Sequence, residues 1–146
     1  MAIKGLTLSA TKNYVSTSDD ARGEGGVPTP DATVFTLGAV DVFVTSHVFD
    51  SCLEFRAADD ERGQTTQIHM NRMALERVRF GLRGWRNFKD AAGKEVEFTT
   101  TDRYLVGRAY KVASDDCLRQ IPLPIIRELA GEVVDLSTVT EAEAGN

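Results

Sequence analysis

The C-terminal third of the chain carries the pattern that most restricts its fold. Pro122 and Pro124 stand where a helix would begin, and a first-turn proline fits because it lacks only an N–H that would be unpaired there. Apolar side chains then repeat at helical spacing, at Ile125, Ile126, Leu129, Val133 and Leu136. Such a stripe must be buried against another element. The sequence therefore predicts an amphipathic helix packed on a core that the rest of the chain supplies.

Further helices and strands are predicted upstream. Ser114 followed by two aspartates predicts a short capped helix through Gln120. Residues 68–84 predict a helix, and Gly81 and Gly84 place its end just before Trp85. Residues 39–56 fit a helical face as well as a strand; their length favours a helix over Asp41 to Arg56.

Segments outside these predicted helices are predicted to form strands and turns. Alternating apolar residues predict a short strand at 32–37 and two or three antiparallel strands across 95–112, with a tight turn from Asp90 to Gly93. Together these elements predict an α+β domain in which short antiparallel strands are packed by two or three helices. With 146 residues, of which 42% are hydrophobic, the chain has material for one core.

Composition divides the chain into three parts. Residues 1–31 are polar and then rich in glycine and proline, which predicts a flexible or extended N-terminal arm that orders only against a partner. Residues 32–136 form the predicted globular domain. Residues 137–146 are a polar, acidic tail.

Cysteine use and hydropathy indicate the compartment. Cys52 and Cys117 are far apart in sequence and have no second pair nearby, so we expect two reduced thiols rather than a disulfide or a zinc site. No stretch has the length of a signal peptide's apolar region or of a membrane helix. We therefore expect folding in a reducing cytoplasm, and no membrane partner.

Charge is distributed in blocks. Residues 1–71 hold five Lys/Arg and ten Asp/Glu, residues 72–111 hold ten and five, and residues 112–146 hold two and seven. A basic middle between acidic ends is compatible with a nucleic-acid stripe, with a patch that meets the acidic face of a neighbouring copy, or with a solvated face. Five excess charges on a chain of net charge −5 are few for a phosphate-binding surface, so DNA contact is not expected.

Catalytic motifs are absent from the sequence. It has no phosphate-binding loop, nucleophile elbow, zinc-protease pair or dinucleotide fingerprint. His47 and His69 have no neighbouring nucleophile or second ligand at metal spacing. The aspartate pairs at 19–20, 59–60 and 115–116 are interpreted as loop or helix-cap residues rather than calcium ligands. We expect no catalytic residue, no metal, no cofactor and no small-molecule substrate.

The middle of the chain is rich in aromatic and methionine side chains. Most of these we expect in the core. Arginines beside tryptophan are also typical of protein interfaces. The predicted partner-binding residues are Arg79, Arg83, Trp85, Arg86 and Phe88.

The order of residues at 79–98, RFGLRGWRNFKDAAGKEVEF, followed by IPLPIIRELA at 121–130 and DLSTVTE at 135–141, resembles small morphogenesis proteins of tailed bacteriophages. The opening MAIKGLTL resembles them more loosely. This resemblance implies a non-enzymatic virion component, such as a head–tail connector, tail or capsid-associated subunit, that binds copies of itself and other phage structural proteins. The alternatives are a tail-assembly chaperone absent from the mature particle, and a DNA-contacting adaptor.

Overall fold

The computed structural model describes residues 3–57 and 64–138. Eleven strands and helices follow one another in these ranges, together with a short 3-10 turn at Glu24–Gly26. The strands are β1 (Thr11–Tyr14), β2 (Val34–Gly38), β3 (Leu53–Ala57), β4 (Gln64–Ile68), β5 (Leu82–Arg86), β6 (Thr100–Leu105) and β7 (Arg108–Ala113). The helices are α1 (Val42–Ser51), α2 (Met70–Gly81), α3 (Asp115–Arg119) and α4 (Leu123–Thr138).

The central sheet has three antiparallel strands in the order β1-β2-β5. Its register shifts between Thr36 and Leu37, because β5 carries an extra residue there. Positions 82 and 85 would face opposite sides of a regular strand, but the bulge brings both toward the core. Leu82 is buried as a result, and Trp85 packs against the same cluster.

Helices α2 and α4 pack against each other and against the sheet. They approach closely at Gly81, where a β-carbon would lie 2.5 Å from Val133 Cγ2. The core between the helices and the sheet contains side chains from both halves of the chain. Its largest fully buried members are Phe35, Leu37, Val44, Val48, Val78, Phe80, Leu82, Val112, Ile126, Leu129 and Val133.

Two separate hairpins extend from this centre. β3 pairs with β4, and β6 pairs with β7, each as a two-stranded antiparallel sheet. The predicted tight turn at Asp90 is present: its carboxylate accepts hydrogen bonds from Ala92 N and Lys94 N, and Gly93 has φ 82°.

The predicted α+β class is confirmed, with corrections in detail. The described residues contain four helices rather than two or three. The helix predicted over Asp41 to Arg56 stops at Ser51, because the chain then enters β3. Residues 96–99 are not in a strand, so the strand pattern seen from residue 95 begins only at Thr100.

The prediction that residues 1–31 form a separate arm is wrong for much of that segment. β1 pairs with β2, and Tyr14, Val15 and Ser16 are buried. The Gly/Pro-rich stretch that follows is held by Asp19, whose carboxylate accepts from Ala21 N and Thr33 N, and by the Asn87 amide, which donates to Pro30 O and Ala32 O. Ordering comes from contacts within the chain.

The C-terminal boundary also differs. α4 continues through Thr138, and Ser137 Oγ accepts from Val40 N at 3.0 Å and donates to Val133 O at 2.6 Å. Residues 139–146 of the predicted acidic tail lie outside the described residues. Within residues 3–57 and 64–138, no helix combines the length and apolarity needed to cross a bilayer.

Candidate protein-binding surface

Arg79, one of the predicted partner-binding residues, is engaged inside the chain. It lies on α2, and its guanidinium donates to both carboxylate oxygens of Glu76 and to Asp115 Oδ1 on α3. Its side chain is only 11% exposed. Arg79 also holds the pKa of Asp115 below its ordinary value through this hydrogen bond. The residue joins α2 to the start of α3.

Arg83 likewise forms hydrogen bonds within the chain, in this case with backbone carbonyl groups. Its guanidinium donates to Phe80 O and, at 3.0 Å, to Ala39 O. Gly38 leaves room for this, because a β-carbon there would collide with the arginine side chain. Burial lowers the pKa of Arg83.

Trp85 and Phe88 belong to an aromatic cluster that also includes Phe35 and Phe98. The centroids of the Trp85 and Phe88 rings are 4.7 Å apart in an edge-to-face arrangement, and both rings contact Phe35. The indole Nε1 donates to Val96 O at 2.7 Å, which fixes the loop around the Asp90 turn. The structure therefore places two of the five predicted residues in one packed cluster and leaves Arg86 as their exposed neighbour.

The exposed apolar side chains point to a different face. Two adjacent recesses, of about 400 and 520 Å³, both have Leu6 and Val42 in their walls. The smaller lies between α1 and the end of α4, and the larger lies between α1 and the β6–β7 hairpin. We call the apolar residues of the larger recess the docking surface: Leu6, Leu8, Val42, Phe43, Leu105 and Val106.

Several residues of the docking surface are unusually open to solvent. Val106 is 77% exposed, Val42 62% and Phe43 54%, and Leu6 and Leu8 are exposed as well. Single exposed apolar side chains are ordinary, but a contiguous group in a recess is typical of a binding site. The docking surface is the candidate functional site of this chain.

Polar contacts hold the walls of this surface in place. Asp41 caps α1, accepting from Val44 N at 2.9 Å, while its other oxygen accepts from Tyr110 OH at 2.7 Å. Asp41 thereby connects the start of α1 to β7, and its hydrogen bond raises the pKa of Tyr110. Val42 and Phe43, the first two residues of α1, are held beside the β6–β7 hairpin.

Val106 occupies a strained turn. Val106 and Gly107, the two residues between β6 and β7, have φ 50° and 73°, as in the two-residue type I′ hairpin turn. Asn, Asp and Gly are preferred at such positions, whereas a β-branched residue with positive φ is an outlier. Backbone strain of this kind concentrates at functional sites, and Val106 is also the most exposed residue of the docking surface.

Glu128 on α4 anchors the N-terminal segment. Its carboxylate accepts from Tyr14 OH at 2.5 Å, Ser16 Oγ at 2.8 Å and Thr17 N at 2.7 Å. Burial acts to raise the pKa of Glu128, but these hydrogen bonds outweigh it and hold that pKa below the ordinary value. Burial, together with the bond to Glu128, raises the pKa of Tyr14 to about 12.

The other polar residues considered from the sequence have local roles. His47 lies against the Phe80 ring, and His69 Nε2 lies 2.9 Å from Glu54 Oε2. Cys52 and Cys117 are both buried and free. In the part of the chain that the structure describes, no group of three or more His, Cys, Asp or Glu side chains is placed to hold a metal ion. The doublet at 59–60 lies outside the described residues.

Sequence reasoning missed the docking surface. Leu6, Val42 and Val106 are distant along the chain and lie in segments assigned to an arm, a helix and a strand pattern. One local pattern could have indicated it: Val106-Gly107 stands between two runs of alternating apolar and polar residues, which predicts a two-residue hairpin turn. Valine is disfavoured at the first position of such a turn. No protein-family model, curated protein or solved structure matches the chain.

Proposed function

We propose that this chain is a non-enzymatic structural subunit of a tailed-bacteriophage virion, acting through repeated contacts with copies of itself and with other structural proteins. The observation that carries the proposal is the docking surface, an exposed and contiguous apolar recess beside a strained turn. The phage context rests on the resemblance at residues 79–98 and 121–141.

The physical case is that apolar area exposed in the free chain is area available for association. Burying such area is the main favourable contribution to protein binding, and the centres of interfaces are poor in charge and rich in large apolar side chains. Phe43, Val42 and Val106 meet that description, and Arg108 and Asp41 line the same recess. A mostly apolar lining with a few polar groups supports a protein partner.

The arginines of the basic block 72–111 argue against DNA as the partner. Two arginines of the basic block, Arg79 and Arg83, already donate to groups within the chain. Affinity for duplex DNA depends on cations that are free to neutralise phosphates. Their engagement lowers the number available, which supports protein contact over DNA contact.

The test uses Val42→Glu in a phage that encodes this chain. Val42 is in the first turn of α1, where a carboxylate is compatible with the helix dipole, so the substitution charges the docking surface without opposing the helix. Ser46→Glu, on an exposed position of the same helix outside the recesses, is the matched control. Quantitative mass spectrometry of purified virions gives the copy number.

We expect wild type and Ser46→Glu in virions at a fixed copy number, and Val42→Glu depleted from them. Absence of the wild-type chain from virions, with its presence in tail-assembly intermediates, would identify an assembly chaperone instead. Equal incorporation of all three chains would remove the docking surface from the proposal.

A further inference from the structure

The β3–β4 hairpin has one apolar and one polar face. Leu53 pairs with Ile68, and Phe55 pairs with Thr66; because side chains alternate along a strand, Leu53, Phe55 and Ile68 share a face. The pair Glu54 and Gln67 lies on the other face. Phe55 is 64% exposed and Ile68 44%. The apolar face of this hairpin is therefore largely open to solvent.

The hairpin is also poorly supported by its own domain. β3 and β4 contact each other extensively but make few contacts with any other described element. A two-stranded hairpin alone in water is at best marginally stable, and an amphipathic one gains stability when its apolar face is covered. The chain thus presents a projecting apolar element as well as a recessed apolar surface, and neither covers the other.

We propose that the β3–β4 hairpin of one copy docks its apolar face, led by Phe55, into the docking surface of a second copy. This names the partner of the surface described above and so rests on the proposed function. The contact is heterologous: each copy offers a hairpin at one site and a recess at another, so that copies join head to tail and close into a ring where the rotation permits.

Size and charge both fit this occupant. A recess of about 520 Å³ is in the range that accepts a compact apolar group, and Phe55 with Ile68 supplies one. Residues 53–68, which contain β3 and β4, hold four Asp/Glu and two Lys/Arg, whereas residues 100–113, which contain β6 and β7 and form one wall of the recess, hold one Asp and three Lys/Arg. Blocks of opposite charge favour a head-to-tail encounter over contact between two identical faces.

The experiment compares two single variants and their mixture. Phe55→Thr removes the ring and places a strand-favouring β-branched residue opposite Thr66; Val42→Glu charges the docking surface. Sedimentation equilibrium of the full chain gives the self-association constant. We expect each variant to weaken self-association about tenfold or more, as removal of a central interface side chain does, while Ser46→Glu matches wild type. Thermal melts confirm that the variants fold.

The mixture tests the head-to-tail geometry. Phe55→Thr retains an intact docking surface, and Val42→Glu retains an intact hairpin, so an equimolar mixture can form one good contact. We expect heterodimers in the mixture and no larger species.

Three results would overturn the inference. If Val42→Glu weakens association and Phe55→Thr does not, the surface binds something other than the hairpin, and the proposed function survives. If both variants weaken association but the mixture forms no heterodimer, the hairpin and the docking surface do not bind each other. If the wild type stays monomeric up to about 1 mM, copies do not dock in this way, and virion incorporation still tests the proposed function separately.

Discussion

Glu128 ties two distant stretches of the chain together, because its carboxylate accepts three hydrogen bonds from the segment Tyr14 to Thr17. Hydrogen bonds to a charged group contribute more to stability than neutral ones. The residue lies on α4, more than a hundred positions later in the sequence. Glu128 thus adds a polar attachment of the N-terminal segment to α4, beside the pairing of β1 with β2.

Replacement of Glu128 by glutamine should therefore destabilise the fold at pH 7, by about 1 to 3 kcal/mol. Because the pKa of Glu128 is lowered from 4.5, its contribution is complete above pH 4.5 and is lost as the pH falls through the folded-state pKa. The difference between wild type and Glu128→Gln should shrink with acidity. Urea unfolding at several pH values between 7 and 3 measures it.

Glu132→Gln is the control, since Glu132 forms a partly exposed ion pair with Lys12 and such pairs contribute about 0 to 1 kcal/mol. An equal loss in both variants at pH 7 would contradict the special role of Glu128.

Val106 gives a second prediction at this scale. Val106→Asn places a residue that tolerates positive φ at a position with φ 50°, so we expect the free energy of unfolding to rise by about 1 to 2 kcal/mol. The same change removes an exposed apolar group from the docking surface, so association should weaken while stability improves. Val27→Asn, at an exposed valine outside the recesses with φ −70°, is the matched control. No gain in stability would show that the turn is unstrained.

At the scale of elements, the packing of α2 on α4 depends on a small residue. A β-carbon at Gly81 would lie 2.5 and 2.7 Å from the two methyl groups of Val133, which is too close for any real contact. The last turn of α2 must therefore approach α4 with no side chain between them.

Gly81→Ala should accordingly destabilise the protein by about 1 to 3 kcal/mol, the usual cost of overpacking. Gly131→Ala is the matched control on α4, because nothing lies within 4 Å of its added carbon; there the better helix propensity of alanine should stabilise by about 0.5 to 1 kcal/mol. Thermal or urea unfolding compares the two. Equal effects of the two substitutions would contradict the close approach.

The sequence predicted elements well where the local pattern and the tertiary environment agree. α4 has a regular apolar stripe and α3 a serine cap, and both were placed within a few residues. β1 was missed because three of its four residues are exposed and polar. Its pairing with β2 and its attachment to α4 are non-local, so no pattern within residues 11–14 could indicate them.

At the scale of the whole molecule, the N-terminal segment is part of the domain. Deletion of residues 1–31 removes β1, the buried Val15 and all three donors to Glu128. We expect that truncated chain to lose its cooperative thermal transition, whereas deletion of residues 1–4 should leave it nearly unchanged. Circular dichroism during heating distinguishes them. A sharp transition in the longer deletion would restore a separate arm.

The candidate site could not be predicted from the sequence because it also depends on non-local contacts. Arg79, Arg83 and Trp85 are residue types that interfaces use, but each donates hydrogen bonds within the chain. The docking surface is instead assembled from Leu6, α1 and the β6–β7 hairpin. Composition identified the residue types that interfaces use, and only the fold determines which of them remain exposed.

This assembly from distant segments has a consequence for the timing of synthesis. Chains emerge from the ribosome N-terminus first, at about 5 to 20 residues per second, and the docking surface does not exist until β7, ending at Ala113, has paired with β6. Glu128, which secures the first strand, is made later still. The β3–β4 hairpin, by contrast, needs only residues up to Ile68. If copies dock as proposed, the sequence of the hairpin is complete before that of the docking surface, so that a growing chain could join a finished neighbour before the next chain could join it.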